Sequence, residues 1–413
     1  MSLVNRHLKR AVPGAALTVF LSIGLLPSAA RAQSAGDPAE NAQMHLGPLA
    51  LSPRFSIRNL GVDTNVFNAA ERPTKDFTVT FGPGVDTWLR IGRARLSTQT
   101  LVEWTYFQES AGQRSLNTSQ TGKLEFDMAA ATPYLAGGVI STRQRPNLEI
   151  DQRVRQNRVN AAAGTRVDLG GRSRIDVDVR REQIDFGDEE PGDALVRAAL
   201  NREVTEGGLA FRIDLTPLTT FVVKTGVSYD TFEFSRTRDS DSVTILPGLE
   251  LKPSALISGK ASVGYRRFDA KSPIVPDFSG VVAAVDVGYV MRESTRFGVK
   301  VDRNLDYSLQ VDSPYFVITS ANVDVKQALG YAWDVVGRAG GARLSYQGVL
   351  VDGRGEPLAR QRDRFTTFGA GVGRRLGEYI RVGFDVDYNQ RRSETAFREY
   401  EGFKVGGSFT YGY

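Results

Sequence analysis

From about Leu49 to its last residue the chain repeats one pattern: apolar side chains at every second position, in segments of roughly 10 to 16 residues, with charged or small residues between them. A period of two is that of a β-strand with one apolar and one polar face. In "SRIDVDVRR" Ile175, Val177 and Val179 oppose Arg174, Asp176, Asp178 and Arg180. In "YIRVGFDVDYNQR" Ile380, Val382, Phe384, Val386 and Tyr388 oppose Arg381, Gly383, Asp385, Asp387 and Asn389. The chain stops in mid-pattern on "FKVGGSFTYGY", where a soluble domain ordinarily frays.

Tight turns and looser loops alternate between these segments. The turns are read at Gly92-Arg93, Ala131-Thr132-Pro133, Gly170-Gly171-Arg172, Thr216-Pro217, Pro253-Ser254, Glu293-Ser294, Gly330-Tyr331 and Gly377-Glu378. The loops fall near residues 62–75, 109–115, 146–152, 187–200, 235–240, 271–276, 309–314, 351–361 and 393–397. Eight turns and nine loops join eighteen strands, or sixteen if Leu49 to Asn59 stays out of the sheet. A soluble β-sandwich also alternates, over a shared core. The even strand count, the regular turn and loop lengths and the charged polar face favour a transmembrane antiparallel β-barrel, its mean hydropathy made uninformative by the alternation.

The N-terminus fits an exported protein. Arg6, Lys9 and Arg10 precede an apolar run from Ala11 to Leu26 and a small-residue site at Ala30-Arg31-Ala32, so residues 1–32 read as a signal peptide. Residues 33–48 are then a short periplasmic segment and residues 49–413 the barrel. Taking the four basic groups of residues 1–32 from the 52 in the chain leaves 48 against 47 acidic residues, which removes the case for a nucleic-acid partner. After the signal no run of roughly 18 apolar residues remains to form a membrane helix.

In a barrel the last strand pairs with the first, because unpaired backbone groups are not tolerated in lipid. Both termini are expected at the periplasmic rim of the outer membrane of a Gram-negative-type bacterium, among outer-membrane lipid and lipopolysaccharide. The ending Phe409, Tyr411, Tyr413 resembles the C-terminal signal read by the barrel-assembly machinery, with Tyr where Phe is commoner. Aromatics near strand ends (Trp104, Tyr106, Tyr229, Phe232, Tyr265, Tyr289, Tyr307, Tyr315, Tyr346, Tyr388 and Tyr411) read as interface girdles.

The stretch from Leu46 to Gly92, with a first strand, the loop "GVDTNVF" at Gly61 to Phe67 and a second strand ending in Gly-Pro-Gly, resembles the β-barrel porins of the "porin 2" type. The resemblance covers the whole barrel in pattern and this stretch in motif. It implies an outer-membrane pore and, for some members, a setting of exopolysaccharide export.

By parity the inner wall carries Arg158, Arg166, Arg174, Arg180, Arg212, Lys224, Lys260, Arg266, Lys300, Arg381 and Lys404, interleaved with Asp168, Asp176, Asp178, Asp214, Asp230, Asp286, Asp302, Asp385 and Asp387. Eighteen strands enclose a lumen roughly 35 Å across the backbone, wide enough for water unless loops fold in. Such walls either sieve polar solutes through a transverse field or pair their charges across strands and stay wet. Arg outnumbers Lys, and its planar fork suits carboxylate or phosphate groups, such as those of an acidic polymer.

The acidic loop "GDEEPGD" (Asp188, Glu189, Glu190, Asp193) lacks the spacing of a defined cation loop, and Asp63 with Asn65 reads as a turn bonding its own backbone. No metal or cofactor is expected. With no Cys, and with His only at His7 and His45, no Ser-His-Asp, Cys-His or His-metal site assembles in the barrel. Carboxylate pairs two apart, Asp385 with Asp387 and Asp176 with Asp178, recur as wall pattern, so an enzyme is not expected. The expected function is passage of polar solutes or a polysaccharide strand. The rival is a non-conducting structural or assembly barrel in a surface-polymer system, closed by loops 187–200 or 351–361, with polysaccharide export components as partners.

Overall fold

The computed structural model describes residues 38–412 except 188, 191, 254, 349–360 and 395–396. The signal peptide, Tyr413 and most of loop 351–361 lie outside the described residues. The strands are β1 (Met44–Leu46), β2 (Leu49–Asp63), β3 (Asp76–Ile91), β4 (Ala94–Phe107), β5 (Ser115–Phe126), β6 (Ala131–Gln144), β7 (Val154–Asp168), β8 (Ser173–Phe186), β9 (Arg202–Thr216) and β10 (Thr219–Phe232). They continue as β11 (Ser240–Leu251), β12 (Ile257–Ala270), β13 (Phe278–Met291), β14 (Thr295–Tyr307), β15 (Tyr315–Leu329), β16 (Trp333–Gln347), β17 (Arg362–Leu376), β18 (Ile380–Ser393) and β19 (Tyr400–Tyr411). Among the described residues the one α-helix, α1 (Asp193–Leu200), lies between β8 and β9.

All nineteen strands form one sheet, with β1 a short hairpin extension on β2. The eighteen long strands pair with sequence neighbours, and β19 closes on β2 from Lys404↔Asp63 to Tyr411↔Phe55. Leu49 to Asn59 is therefore inside the sheet, and no long strand is left as an edge. The "GVDTNVF" loop holds this seam at the loop end. Asn65 N donates to Asp63 Oδ1 at 2.9 Å, Lys404 Nζ pairs with Asp63 at 3.3 Å, and Asn65 Nδ2 donates to Glu401 O at 3.0 Å.

The short turns gather at the end where β2 begins, and the loops gather at the end where it finishes. Two local readings are corrected. Ala131-Thr132-Pro133 is the start of β6, and the turn is residues 127–130; the β5 ladder begins only at Tyr134, so the missing Pro133 N–H is tolerated there. Gly82-Pro83-Gly84 sits inside β3 and not at its end, where the β4 ladder skips from Phe81↔Trp104 to Gly84↔Leu101.

Outward-facing Val177, Val179, Val263, Tyr265, Phe384 and Val386 are exposed, as an apolar band against lipid requires. The girdle reading holds for exposed Trp104, Tyr229 and Tyr265 but fails for Phe232, Tyr307, Tyr315 and Tyr346, which are buried inside the barrel. The reason is a departure from the regular wall. The β13–β14 ladder stops at Ala283↔Arg303, while β14 stays paired with β15 up to Tyr307↔Tyr315. The β14–β15 tip thus leaves the wall and buries residues of both parities: Leu305, Tyr307 and Tyr315 in one cluster, Phe316 and Ile318 in another.

Candidate functional site: a charged lumen sealed at the loop mouth

Strand alternation sends every second side chain inward, and most of the inward charges meet a partner on a neighbouring strand. Arg166 pairs with Asp176 at 3.3 Å and Arg174 with Asp214 at 3.1 Å. Arg212 joins Asp176 to Glu250, which also takes Lys224 at 3.3 Å. Arg180 lies between Glu182 at 2.9 Å and Glu206 at 3.6 Å, with Arg158 at 4.0 Å from Glu182. Asp230 pairs with Arg202, and Lys300 with Asp286. Arg266 donates instead to Asn304 at 2.9 Å and Ser242 at 2.8 Å. Lys260, Asp178 and Asp302 form no ion pair among the described residues, and Asp168 ends β7.

Between β16 and β18, Arg338 takes both Asp385 at 3.1 Å and Asp387 at 2.9 Å. It reaches past β17 because that strand presents Gly369 and Gly371, where a Cβ would collide with the Asp387 and Asp385 carboxylates. The Asp385–Asp387 pair is thus shared by one guanidinium, and Asp176 is held by two arginines. Arg381 grips buried Asp334 at 2.6 Å, with Lys326 at 3.8 Å. Toward the turn end the lumen is wet: inward Lys300 and Asp286 keep 48% and 57% of their side-chain surface exposed.

The loop end is different. Residues 145–153, between β6 and β7, cross to the opposite wall. Asn147 Nδ2 donates to Tyr307 O at 3.0 Å, and Glu149 accepts from Ser308 Oγ at 2.8 Å and Leu309 N at 3.0 Å. Arg391 of β18, fully buried, grips Asp151 at 2.7 Å, Asp363 at 2.5 Å and the Glu149 carbonyl at 3.3 Å. Arg145 binds the Val66 carbonyl at 2.9 Å, tying this segment to the closure loop. Burial pushes the Glu149 carboxyl up, and Ser308, Leu309 and Arg398 pull it only part of the way back. Burial likewise raises Asp151 against the opposing Arg391.

Two apolar clusters fill the space around this segment. Ile150, Val196 and Leu200 of α1, Phe232, Phe268, Tyr307 and Tyr315 belong to the first, and Leu148 packs on Phe316, Leu344, Tyr346 and Phe365 in the second. Each large side chain removed from water contributes about 1.5–3 kcal/mol. The loop mouth is therefore sealed by packed side chains and an ion cluster, and the lumen is a charged cup open toward the turns.

The acidic loop does not present free ligands: Glu190 pairs with Arg143, Glu189 lies 3.7 Å from Arg143 and 3.6 Å from Arg155, and Asp193 accepts from Glu190 N at 3.0 Å. Asp188 lies outside the described residues. Phe409 and Tyr411 lie on β19, and Tyr411 packs near Tyr379. The sequence reading missed Glu182, Glu206, Glu250, Asp334 and Arg338, which share the inward parity, and the whole seal. Its available signals were Leu148 and Ile150 in a loop that should be polar, and the helical spacing of Val196, Ala199 and Leu200.

The family model described as "Putative beta-barrel porin 2" matches residues 37–411. No curated protein matches the chain. Among solved structures, the outer membrane protein opdK from Pseudomonas aeruginosa matches with TM-score 0.50 and 11% identity, over 87% of this chain and 98% of that one. The FrpB iron transporter from Neisseria meningitidis (F3-3 variant) gives 0.44 and 9%, over 83% of this chain and only 62% of its own length. A bacterial polysaccharide outer membrane secretin gives 0.35 and 12%, over 87% and 97%. At these identities the opdK likeness is one of fold, and that fold is an outer-membrane barrel.

Proposed function

Since the chain belongs to the beta-barrel porin 2 family, we propose that it is a gated outer-membrane pore, its loop end at the cell surface and both termini in the periplasm of a Gram-negative-type bacterium. Its substrates are polar solutes or an acidic polysaccharide strand. The observation that carries the reading is the contrast between the two halves of the lumen. The turn half is wet and lined by charges that orient polar solutes, whereas the loop half is closed by a separate segment, residues 145–153, that can in principle leave. A wall meant only as scaffold has no need of a wet, charged cup.

The seal also favours a second reading, a non-conducting barrel serving surface-polymer export components. No catalytic role is proposed: the two carboxylate pairs the sequence offers, Asp385 with Asp387 and Asp176 with Asp178, are bound at Asp385, Asp387 and Asp176 by arginines of the wall. Lipid, lipopolysaccharide and the barrel-assembly machinery are the expected partners in either case. The test is ion selectivity from reversal potentials in a planar bilayer, followed by addition of an acidic polysaccharide. Discrete openings blocked by the polymer support the export pore. Openings indifferent to it leave a small-solute pore, and permanent silence from folded protein favours the structural reading.

A further inference from the structure

The outer wall of β16–β18 carries an arrangement that the lumen does not explain. Arg343 of β16 stands directly opposite Arg364 of β17, and Arg364 directly opposite Arg392 of β18. Arg303 of β14 extends the row through Thr319, its guanidinium donating to Thr319 Oγ1 at 2.6 Å and to the Val281 carbonyl at 3.0 Å. Like charges directly opposite one another in a sheet repel. Other outward arginines have partners, Arg181 in Glu203 at 2.6 Å, Arg267 in Asp269 at 2.9 Å and Arg374 over the Trp333 ring at 5.5 Å. Here Arg392 has only Glu399, exposed and 3.6 Å away, and neither Arg343 nor Arg364 has an ion-pair partner among the described residues.

Below this row, toward the turns, the outer face of β16 continues as Gly341, Ala339 and Gly337. Gly337 and Ala339 floor an apolar groove of about 470 Å³, with walls formed by Val323, Val325, Phe368, Ala370, Val386 and Tyr388. The rows stand in register, with Ala339↔Phe368 and Phe368↔Tyr388 four residues along from the arginines, about 13 Å at the rise of a strand. A Cβ on Gly337 would meet nothing within 4 Å, so the groove exists because no side chain fills it.

We propose that this face is a binding site for a phosphorylated, acylated lipid of the surface leaflet, its phosphate groups bridging Arg343, Arg364 and Arg392 and one acyl chain lying in the Gly337–Ala339 groove. Arginine forks match phosphate oxygens, and outward arginines are tolerated on a barrel only near the headgroup level. The apolar groove directly beneath distinguishes a lipid from a free anion. The proposal rests on the outer-membrane reading with the loop end at the cell surface. It does not depend on conduction, because the site faces away from the lumen.

The experiment is lipid binding by native mass spectrometry on the detergent-purified protein, with lipopolysaccharide, its dephosphorylated form and phosphatidylglycerol as probes. Wild type should bind lipopolysaccharide roughly tenfold or more tightly than the dephosphorylated form, as expected for charge-assisted hydrogen bonds. Arg343→Gln with Arg364→Gln should lose that discrimination. Gly337→Leu, which fills the groove and leaves the arginines intact, should weaken both forms while keeping their ratio. A double variant that still discriminates would overturn the assignment, as would phosphatidylglycerol bound as tightly as lipopolysaccharide.

Discussion

Replacing Arg391 with Met should open the seal. In the closed barrel the guanidinium is fully buried and answers two carboxylates, Asp151 of the sealing segment and Asp363 of the wall, besides the Glu149 carbonyl. Met keeps much of the apolar stem and removes the charge. Asp151, whose side chain is only partly buried, then loses its ion-pair partner as long as the segment stays inside, and it regains full hydration when the segment leaves. Breaking one side of a buried ion pair costs about 3–5 kcal/mol. With Asp151 partly exposed this figure is a ceiling, and the open-to-closed ratio rises by at most roughly two to three and a half powers of ten at about 1.4 kcal/mol per tenfold. Trypsin reads the change at Arg153, at the C-terminal end of the segment, since Arg145 is followed by Pro146 and is not a cleavage site. Wild type should resist cutting there, and Arg391→Met should be cut while its barrel stays heat-modifiable. Adding Asp151→Asn to Arg391→Met should restore resistance, since the segment then carries no unpaired charge at this contact and Asp363 of the wall keeps Arg398 at 3.7 Å in either state. Equal cutting of wild type and Arg391→Met, both folded, would refute the clasp.

The seal should also respond to pH. The Glu149 carboxyl is raised in the closed barrel, so its stabilising contribution is full below the ordinary carboxylate range near about 4.3 and is lost as pH rises through the raised value. Openings should therefore become more frequent from about pH 4 upward, and Glu149→Gln should flatten that rise when openings are counted in a bilayer. Arg338→Gln would leave Asp385 and Asp387 facing each other without a cation, so reversal potentials should shift toward cation selectivity. Gly61→Val should weaken barrel closure, because a Cβ there collides with the Val405 carbonyl of β19; loss of the heat-modifiable band on gels would register it.

The period of two made the strands, their inward and outward faces and most turns legible, because lipid on one side and water on the other enforce the alternation residue by residue. It could not separate an aromatic facing lipid from one facing an infolded segment. Tyr307 and Tyr315 continue the strand pattern, and only the early end of the β13–β14 ladder turns them inward. Nor does local pattern reveal that Arg391 meets Asp151, 240 residues away. The inward arginines and their Asp partners, among them Asp176 and Asp214, were legible by parity, whereas Glu182, Glu206 and Glu250 on the same faces were passed over. The "GVDTNVF" turn was legible as a turn; its grip on Lys404 and Glu401 across the closing seam was not.

The central claim, a charged lumen gated by the segment at residues 145–153, is tested most directly by single-channel conductance of wild type beside a variant in which residues 146–152 are replaced by a short Gly-Ser link. Wild type should be closed most of the time with rare discrete openings, and the variant should conduct steadily. Equal steady conductance from both would show that the segment seals nothing. Silence from both, in barrels proven folded, would show that the lumen is no pore.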